Sequence, residues 1–243
     1  MTKKIINFKH SGKIGDALSA LPTILSYHEE NEDWILNLYL SKERAEFNDD
    51  SITYIVPLLQ HQPYLNEVKE HENERIDINL DEFRRKKDPL HFASIIWAHL
   101  LTHHRFYDLA KPFLFNIDDN KKADIIITKT RRYYGYFPWK KFMKEFPTRR
   151  MAFIGMDDEY RKFCHDYKTI RRIMVDDALE TAEYINSSNI YLGNQSGNSL
   201  IAEGLKATRM ISTCPHAPTH YVVGKGGYSG FDNNIMKKLK RIL

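Results

Sequence analysis

Asp16 follows the turn Ser11-Gly12-Lys13-Ile14-Gly15, between a short apolar run, Lys4 to Lys9, and an apolar-periodic segment, Ala17 to His28. A carboxylate there can cap the helix, or it can act as a general base at the strand end where open α/β sheets place their sites. The glycines let backbone approach a ligand and leave N–H groups pointing outward, which makes His10, Ser11, Gly12, Lys13 and Gly15 candidate binding-loop residues. Neither the GK[ST] ending of a P-loop nor GxGxxG is present, so spacing alone does not specify a nucleotide.

Two further groups lie in the second half. Arg131 and Arg132 follow a strand-like segment, Ala123 to Thr128, where forked guanidinium donors could meet a phosphate; the alternative is an exposed basic loop. In Gly193 to Ser199, small and amide residues join a strand to a helix that starts near Ser199. Gln195, Ser196, Gly197, Asn198 and Ser199 then converge N–H and hydroxyl groups, as an oxyanion or phosphate pocket requires, unless the segment is only a turn. Glu203 falls one helical turn further on, either on a face that reaches a sugar diol or in solvent. Tyr133, Tyr134, Phe137 and Trp139 could stack on a nucleobase or pack a core.

Positioning these groups requires alternating strands and helices. The run Lys4 to Lys9, the helix Ala17 to His28 and the strand Trp34 to Leu40 form a βαβ start. A second series begins at Ala123 and alternates through Trp139 to Glu145 (helix), Met151 to Ile154 (strand), Asp158 to Tyr167 (helix) and Ala178 to Asn186 (helix). Ile190 to Leu192 (strand), Ser199 to Leu205 (helix) and Arg209 to Ser212 (strand) complete it. The restart implies two parallel α/β domains, 1–122 and 123–243, divided at the polar run Asp118 to Lys122. Between His61 and Asn116 only Ser94 to His103 reads as a helix, and Arg84-Arg85-Lys86-Lys87 reads as a solvated face or a binding patch.

With 243 residues, 42% hydrophobic and 28% charged, the chain is long enough for such cores and too apolar for disorder. The longest apolar run, Phe92 to Leu101, is broken by His99 and too short to span a bilayer, and no signal peptide is evident, so a cytoplasmic protein is expected. Cys164 and Cys214 lack CxxC spacing and the eleven histidines lack ligand spacing, so no disulfide and no metal site is expected. The net charge of +4 divides unevenly: 16 Lys and Arg against 20 Asp and Glu before residue 123 (−4), 20 against 12 after it (+8). An anionic ligand therefore belongs to the second half.

The ordered segments His10-Ser11-Gly12-Lys13-Ile14-Gly15-Asp16-Ala17-Leu18-Ser19-Ala20-Leu21-Pro22, Phe153 to Glu159 and Ser187 to Gly197 resemble those of the heptosyltransferase-like glycosyltransferases of family nine. The resemblance implies the GT-B fold, two Rossmann-like domains facing across a cleft. It implies metal-independent, inverting transfer of a sugar from a nucleotide-diphosphate-sugar co-substrate to an acceptor hydroxyl, without other cofactor. Asp16 matches the family's candidate base. Ser196 and Gly197 match its phosphate loop, and Glu203 matches a ribose-binding glutamate. The family's "DSGPMH" becomes Gln195-Ser196-Gly197-Asn198-Ser199-Leu200 here, which alters the donor contacts. The acceptor is a saccharide or glycan. A hydroxymethylated DNA base is the alternative, for which Arg84 to Lys87 or Lys237 to Arg241 could supply a basic face. A sugar-nucleotide-binding protein without turnover follows if Asp16 only caps its helix.

Overall fold

The computed structural model describes residues 3–44, 46–85, 94–121, 123–133, 135–217 and 219–243. Lys86, Lys87, Lys122 and Tyr134, and the beginning of the run Phe92 to Leu101, lie outside them. The chain divides into two compact units, Met1–Asn116 with Asp177–Leu179, and Ile117–Asp176 with Glu180–Leu243.

The first unit is built on a parallel four-stranded sheet in the order β3-β2-β1-β4, with β1 at Ile5–His10, β2 at Ile35–Leu40, β3 at Glu67–Glu70 and β4 at Ile78–Asn79. Ile5 pairs with Ile35 and His10 with Leu40, so β1 and β2 run in register over their whole length. Helix α1 (Ile14–Glu30) buries Ala17 through Ser26 continuously, including Pro22. Helix α2 (Asp49–Gln60) opens on Asn48, whose Oδ1 accepts the Ser51 amide at 2.9 Å, with Asp49 and Asp50 favourably placed in the first turn. A 3-10 helix, Leu80–Arg85, follows β4. Ser94 caps α3 (Ile95–Thr102), its Oγ accepting the Ile96 amide at 3.2 Å.

The second unit carries a parallel six-stranded sheet in the order β10-β9-β8-β5-β6-β7. Its strands are β5 (Ile125–Thr128), β6 (Met151–Phe153), β7 (Arg171–Arg172), β8 (Ile190–Asn194), β9 (Arg209–Ser212) and β10 (Gly227–Ser229). β5 and β8 are buried at every position, because helices cover both faces of a parallel sheet. The helices are α4 (Trp139–Glu145), α5 (Asp157–Asp166), α6 (Ala178–Asn186), α7 (Gly197–Leu205) and α8 (Ile235–Ile242). In α8, Ile235, Met236 and Leu239 are buried while Lys237, Lys240 and Arg241 are exposed, the division a two-sided helix requires. Among the described residues no helix is long and apolar enough to cross a membrane.

In each sheet one pair of neighbouring strands sends its crossovers in opposite directions. These pairs are β1 and β4 in the first unit, β5 and β8 in the second. Such a pair leaves a crevice at its C-terminal ends, because no connection passes over it.

A buried ion-pair cluster joins α7 to β9. Arg209 is fully buried, its Nε 2.6 Å from Glu203 Oε2, with Nη1 donating to the Ala207 carbonyl at 3.0 Å. Lys206 also binds Glu203, and Glu203 Oε1 accepts the Val223 amide at 3.2 Å. Removing Arg209 would leave Glu203 buried with Lys206 and the Val223 amide as its remaining partners. We expect Arg209→Ala to lower the unfolding free energy by about 2–3 kcal/mol in urea titration, through the lost charge-assisted hydrogen bonds and the lost packing of a fully buried side chain. A loss below about 1 kcal/mol would show that the cluster is not holding the unit together.

Candidate functional site

The first crevice is formed by the loop after β1 and the 3-10 helix after β4. Ser11 donates twice to Asp81 Oδ2, from its amide at 3.0 Å and its hydroxyl at 2.5 Å. Arg84 reaches back with Nη2 2.5 Å from Asp16 Oδ2, while Asp81 lies 3.7 Å and Glu46 3.9 Å from the same guanidinium. One cation thus serves three carboxylates, and the Asp16 side chain is 15% exposed. Gly12 lies between these groups. A Cβ there would come within 2.4 Å of Arg84 Nη2 and 2.5 Å of His10 Cε1, so the close approach requires glycine. A cavity of about 290 Å³ opens beside this cluster, lined by Ser11, Glu43, Arg44, Asp81, Arg84 and Arg85 together with Asn79.

Asp16 is not the helix cap. α1 begins at Ile14 with Lys13 as its N-cap residue, and the Asp16 amide donates to the Lys13 carbonyl at 2.9 Å. Its carboxylate projects from the first turn into the Arg84 cluster, where it serves the helix N-terminus and pairs with a guanidinium. Arg84 itself corrects the reading of residues 84–87 as a solvated face: its side chain is 22% exposed and holds Asp16. The run of four cations concealed it, because nothing in their spacing distinguishes one that turns inward.

Behind the loop, His10 is fully buried against Phe83 and His99, with ring centroids 6.4 Å and 5.5 Å away. Its Nδ1 accepts the Gly12 amide at 2.9 Å, so the neutral ring carries its proton on Nε2, which has no partner among the described residues. Burial pushes its pKa down to about 4 against the opposing pull of Asp81 and Asp16. Burial also lowers the pKa of His99. His10 and Ser11 therefore shape the loop with their side chains, whereas Lys13 is exposed.

The second crevice lies between the loops after β5 and β8. Asn194 ends β8 and cross-links them: its Nδ2 donates to the carbonyls of Thr130 at 3.0 Å and Tyr133 at 2.6 Å, and its Oδ1 accepts the Thr130 amide at 2.9 Å. Gln195 does the same toward the loop after β9, donating to the Ala217 carbonyl at 2.9 Å and Thr219 Oγ1 at 2.7 Å and accepting the Cys214 amide. Ser196 is the N-cap of α7, and Ser199 completes the box, its Oγ accepting the Ser196 amide at 3.0 Å. The helix therefore begins at Gly197, two residues before the expected start. The Ser199 hydroxyl also lies 3.0 Å from Nδ1 of His220, a buried ring whose pKa burial lowers to about 4.

The candidate donor residues thus separate into two sets. The side chains of Gln195 and Ser199 are engaged inside the protein, and so is the carboxylate of Glu203, which is 1% exposed. Glu203 corrects the expectation of a sugar-binding or solvated glutamate, because Arg209 and Lys206 occupy it. Gly197 and Asn198 are half-buried, and their amides lie in the first turn of α7, ahead of its intrahelical bonds. Arg132 is exposed, lies 5.2 Å from the Tyr133 ring and makes no ion pair among the described residues. Arg131 is held by Asp158, 3.2 Å from its carboxylate, at the start of α5. Phe137 and Trp139 pack edge to face with centroids 4.6 Å apart in the core, which settles them as packing residues. Among the described residues no three His, Cys, Asp or Glu side chains group to hold a metal ion, and both cysteines are unbonded.

Two parallel α/β units with polar crevices at the C-terminal strand ends define a doubly wound, Rossmann-like class of protein. Within it, the fold matches that of heptosyltransferases. The E. coli heptosyltransferase WaaC with ADP is 10% identical at TM-score 0.66, and WaaC with ADP-2-deoxy-2-fluoro heptose is 8% identical at 0.65. In both cases the match covers 98% of this chain and 100% of that one. A glycosyl transferase of family 9 from Veillonella parvula DSM 2008 is 9% identical at TM-score 0.62, over 99% of this chain and 90% of its own. No family model matches the sequence, and no curated protein matches it.

The buried rings of His10, His99 and His220 make stability pH-dependent. His10 and His220 have folded pKa values of about 4 against an ordinary 6.5, so the unfolded chain binds more protons between those values. Stability from them is fully present above pH 6.5, is lost as pH falls toward 4, and amounts to about 3 kcal/mol each. Urea midpoints measured across that window should fall, and His220→Asn should flatten the dependence. A midpoint independent of pH there would contradict the burial of these rings.

Proposed function

We propose that the chain is a glycosyltransferase that moves a sugar from a nucleotide-diphosphate-sugar donor to an acceptor hydroxyl, with inversion and without a metal. One observation carries this reading: on the heptosyltransferase fold, the crevice of the first unit holds the carboxylate of Asp16 and that of the second holds guanidinium and helix-start amide donors. The WaaC structures hold ADP and an ADP-linked heptose analogue, which supports an ADP-type donor for this chain too.

As the bond between the anomeric carbon and the diphosphate oxygen breaks, negative charge grows on the leaving diphosphate. Arg132 and the amides of Gly197 and Asn198 stabilise it, while Ser196 contributes its cap and Arg131, tied to Asp158, holds the loop in place. The acceptor hydroxyl attacks the opposite face of the sugar and gives its proton to Asp16. Arg84 orients that carboxylate. The mixed lining of the 290 Å³ cavity, with Ser11, Asn79 and Asp81 beside three arginines, suits the hydroxyls of a saccharide acceptor.

A transfer assay across a panel of nucleotide sugars tests the reading. Asp16→Asn should lower turnover by about 10²- to 10⁴-fold, the usual contribution of a general base, while nucleoside-diphosphate affinity stays unchanged. Full activity in that variant would remove the base assignment. Arg132→Ala should weaken nucleoside-diphosphate binding by about tenfold in calorimetry, the loss of one charge-assisted contact. Unchanged affinity would place the diphosphate elsewhere. Salt-dependent retention of the chain on duplex DNA would move the acceptor from a saccharide to a modified base.

A further inference from the structure

The proposed chemistry uses the C-terminal ends of the strands and leaves the opposite edge of the six-stranded sheet unused. There the segments leading into β5, β6 and β7 line a cavity of about 460 Å³. Lys121, Arg149, Arg150 and Arg171 contribute four cations to its wall and Asp124 one carboxylate. These side chains arrive from three separate segments, so the charge is gathered by the fold and is not a run in the sequence.

The cations are not equivalent. Arg150 is fixed in place, with Nε 2.6 Å from Asp124 and Nη1 donating to the Leu243 carbonyl at 2.9 Å. Lys121 is held 3.1 Å from Glu180 and 3.6 Å from Glu183. Arg149 is exposed and makes no ion pair among the described residues, and Arg171 is exposed at the start of β7. The Leu243 contact also brings the residue that follows α8 to Arg150. A concave surface with such a surplus of positive charge concentrates anions, and guanidinium forks match phosphate oxygens.

We propose that this cavity is a second anion site, which binds a small phosphate or diphosphate group through Arg149 and Arg171 against the fixed charge of Arg150. It lies about one strand length, roughly 13 Å, from the donor loops, at the opposite ends of the strands. Its volume falls in the range of small-ligand pockets. The inference rests on this charge cluster and stands whether or not the chain transfers sugars.

Pyrophosphate is the probe. It is titrated by calorimetry at low salt into the full-length Arg132→Ala protein, in which the proposed donor contact is absent, and into Arg132→Ala/Arg149→Glu. Saturable binding to the first, weakened about tenfold or more in the second, is expected from reversing one charge at a phosphate contact. Arg149 is exposed, so the fold should tolerate the change; should the unliganded melting temperature fall, Arg149→Gln and Arg171→Gln carry the comparison. No saturable binding to Arg132→Ala, or equal affinity in every one of these variants, would overturn the proposal. Nucleoside-diphosphate binding by the Arg149→Glu single variant should equal that of the unmodified chain, and its loss would assign Arg149 to the donor site and overturn the second site.

Discussion

A parallel sheet must return its chain over one face or the other, and at one pair of neighbouring strands the returns diverge. Everything chemical in the first unit hangs on that constraint at β1 and β4, and in the second unit at β5 and β8. The divergence leaves loops whose polar groups lack sheet partners. Side chains supply them: Arg84 and Asp81 tie the β4 side to the β1 loop, and Asn194 ties the β8 end to the β5 loop. Without these ties the loops would have to satisfy their amides with water, and the groups they carry would lose their fixed places.

The two crevices use opposite electrostatics to similar structural ends. In the first, one guanidinium faces three carboxylates, so the cluster is short of positive charge. In the second, carboxylates are removed from the loops: Glu203 turns inward to Arg209, and Asn194 and Gln195 bind loop backbone through neutral amides. An acid in place of Gln195 could accept the Cys214 amide and the Thr219 hydroxyl but could not donate to the Ala217 carbonyl, so the loop after β9 would lose that contact. The neutral cross-links keep the N-terminus of α7 electropositive.

Much of this was legible in the sequence, for physical reasons that differ by element. The β-branched run Ile125 to Ile127 reads as a buried strand, and Ser94 reads as the start of α3, because local chemistry decides both. α2 is hard to read from the sequence because Pro57 interrupts its pattern, although Asn48, Asp49 and Asp50 form a sound helix start. β4 and β7, two residues each, are too short to show alternation; pairing with their neighbours creates them. The loops after β1 and β8 stood out through glycine and amide content, but which side chains face inward was set by partners distant in sequence. Asp16 and Arg84 are 68 residues apart.

The Asp16–Arg84 pair carries the next step. Held by the Arg84 guanidinium on Oδ2, the Asp16 carboxylate is fixed in orientation. The pair is largely shielded, with side chains 15% and 22% exposed, so each charge depends on the other for its partner. Asp81 and Glu46 lie by the same guanidinium at 3.7 Å and 3.9 Å, so its charge is shared among three carboxylates. Three carboxylates around one cation thus fix Arg84 in the crevice, and Asp81 also anchors the loop through Ser11.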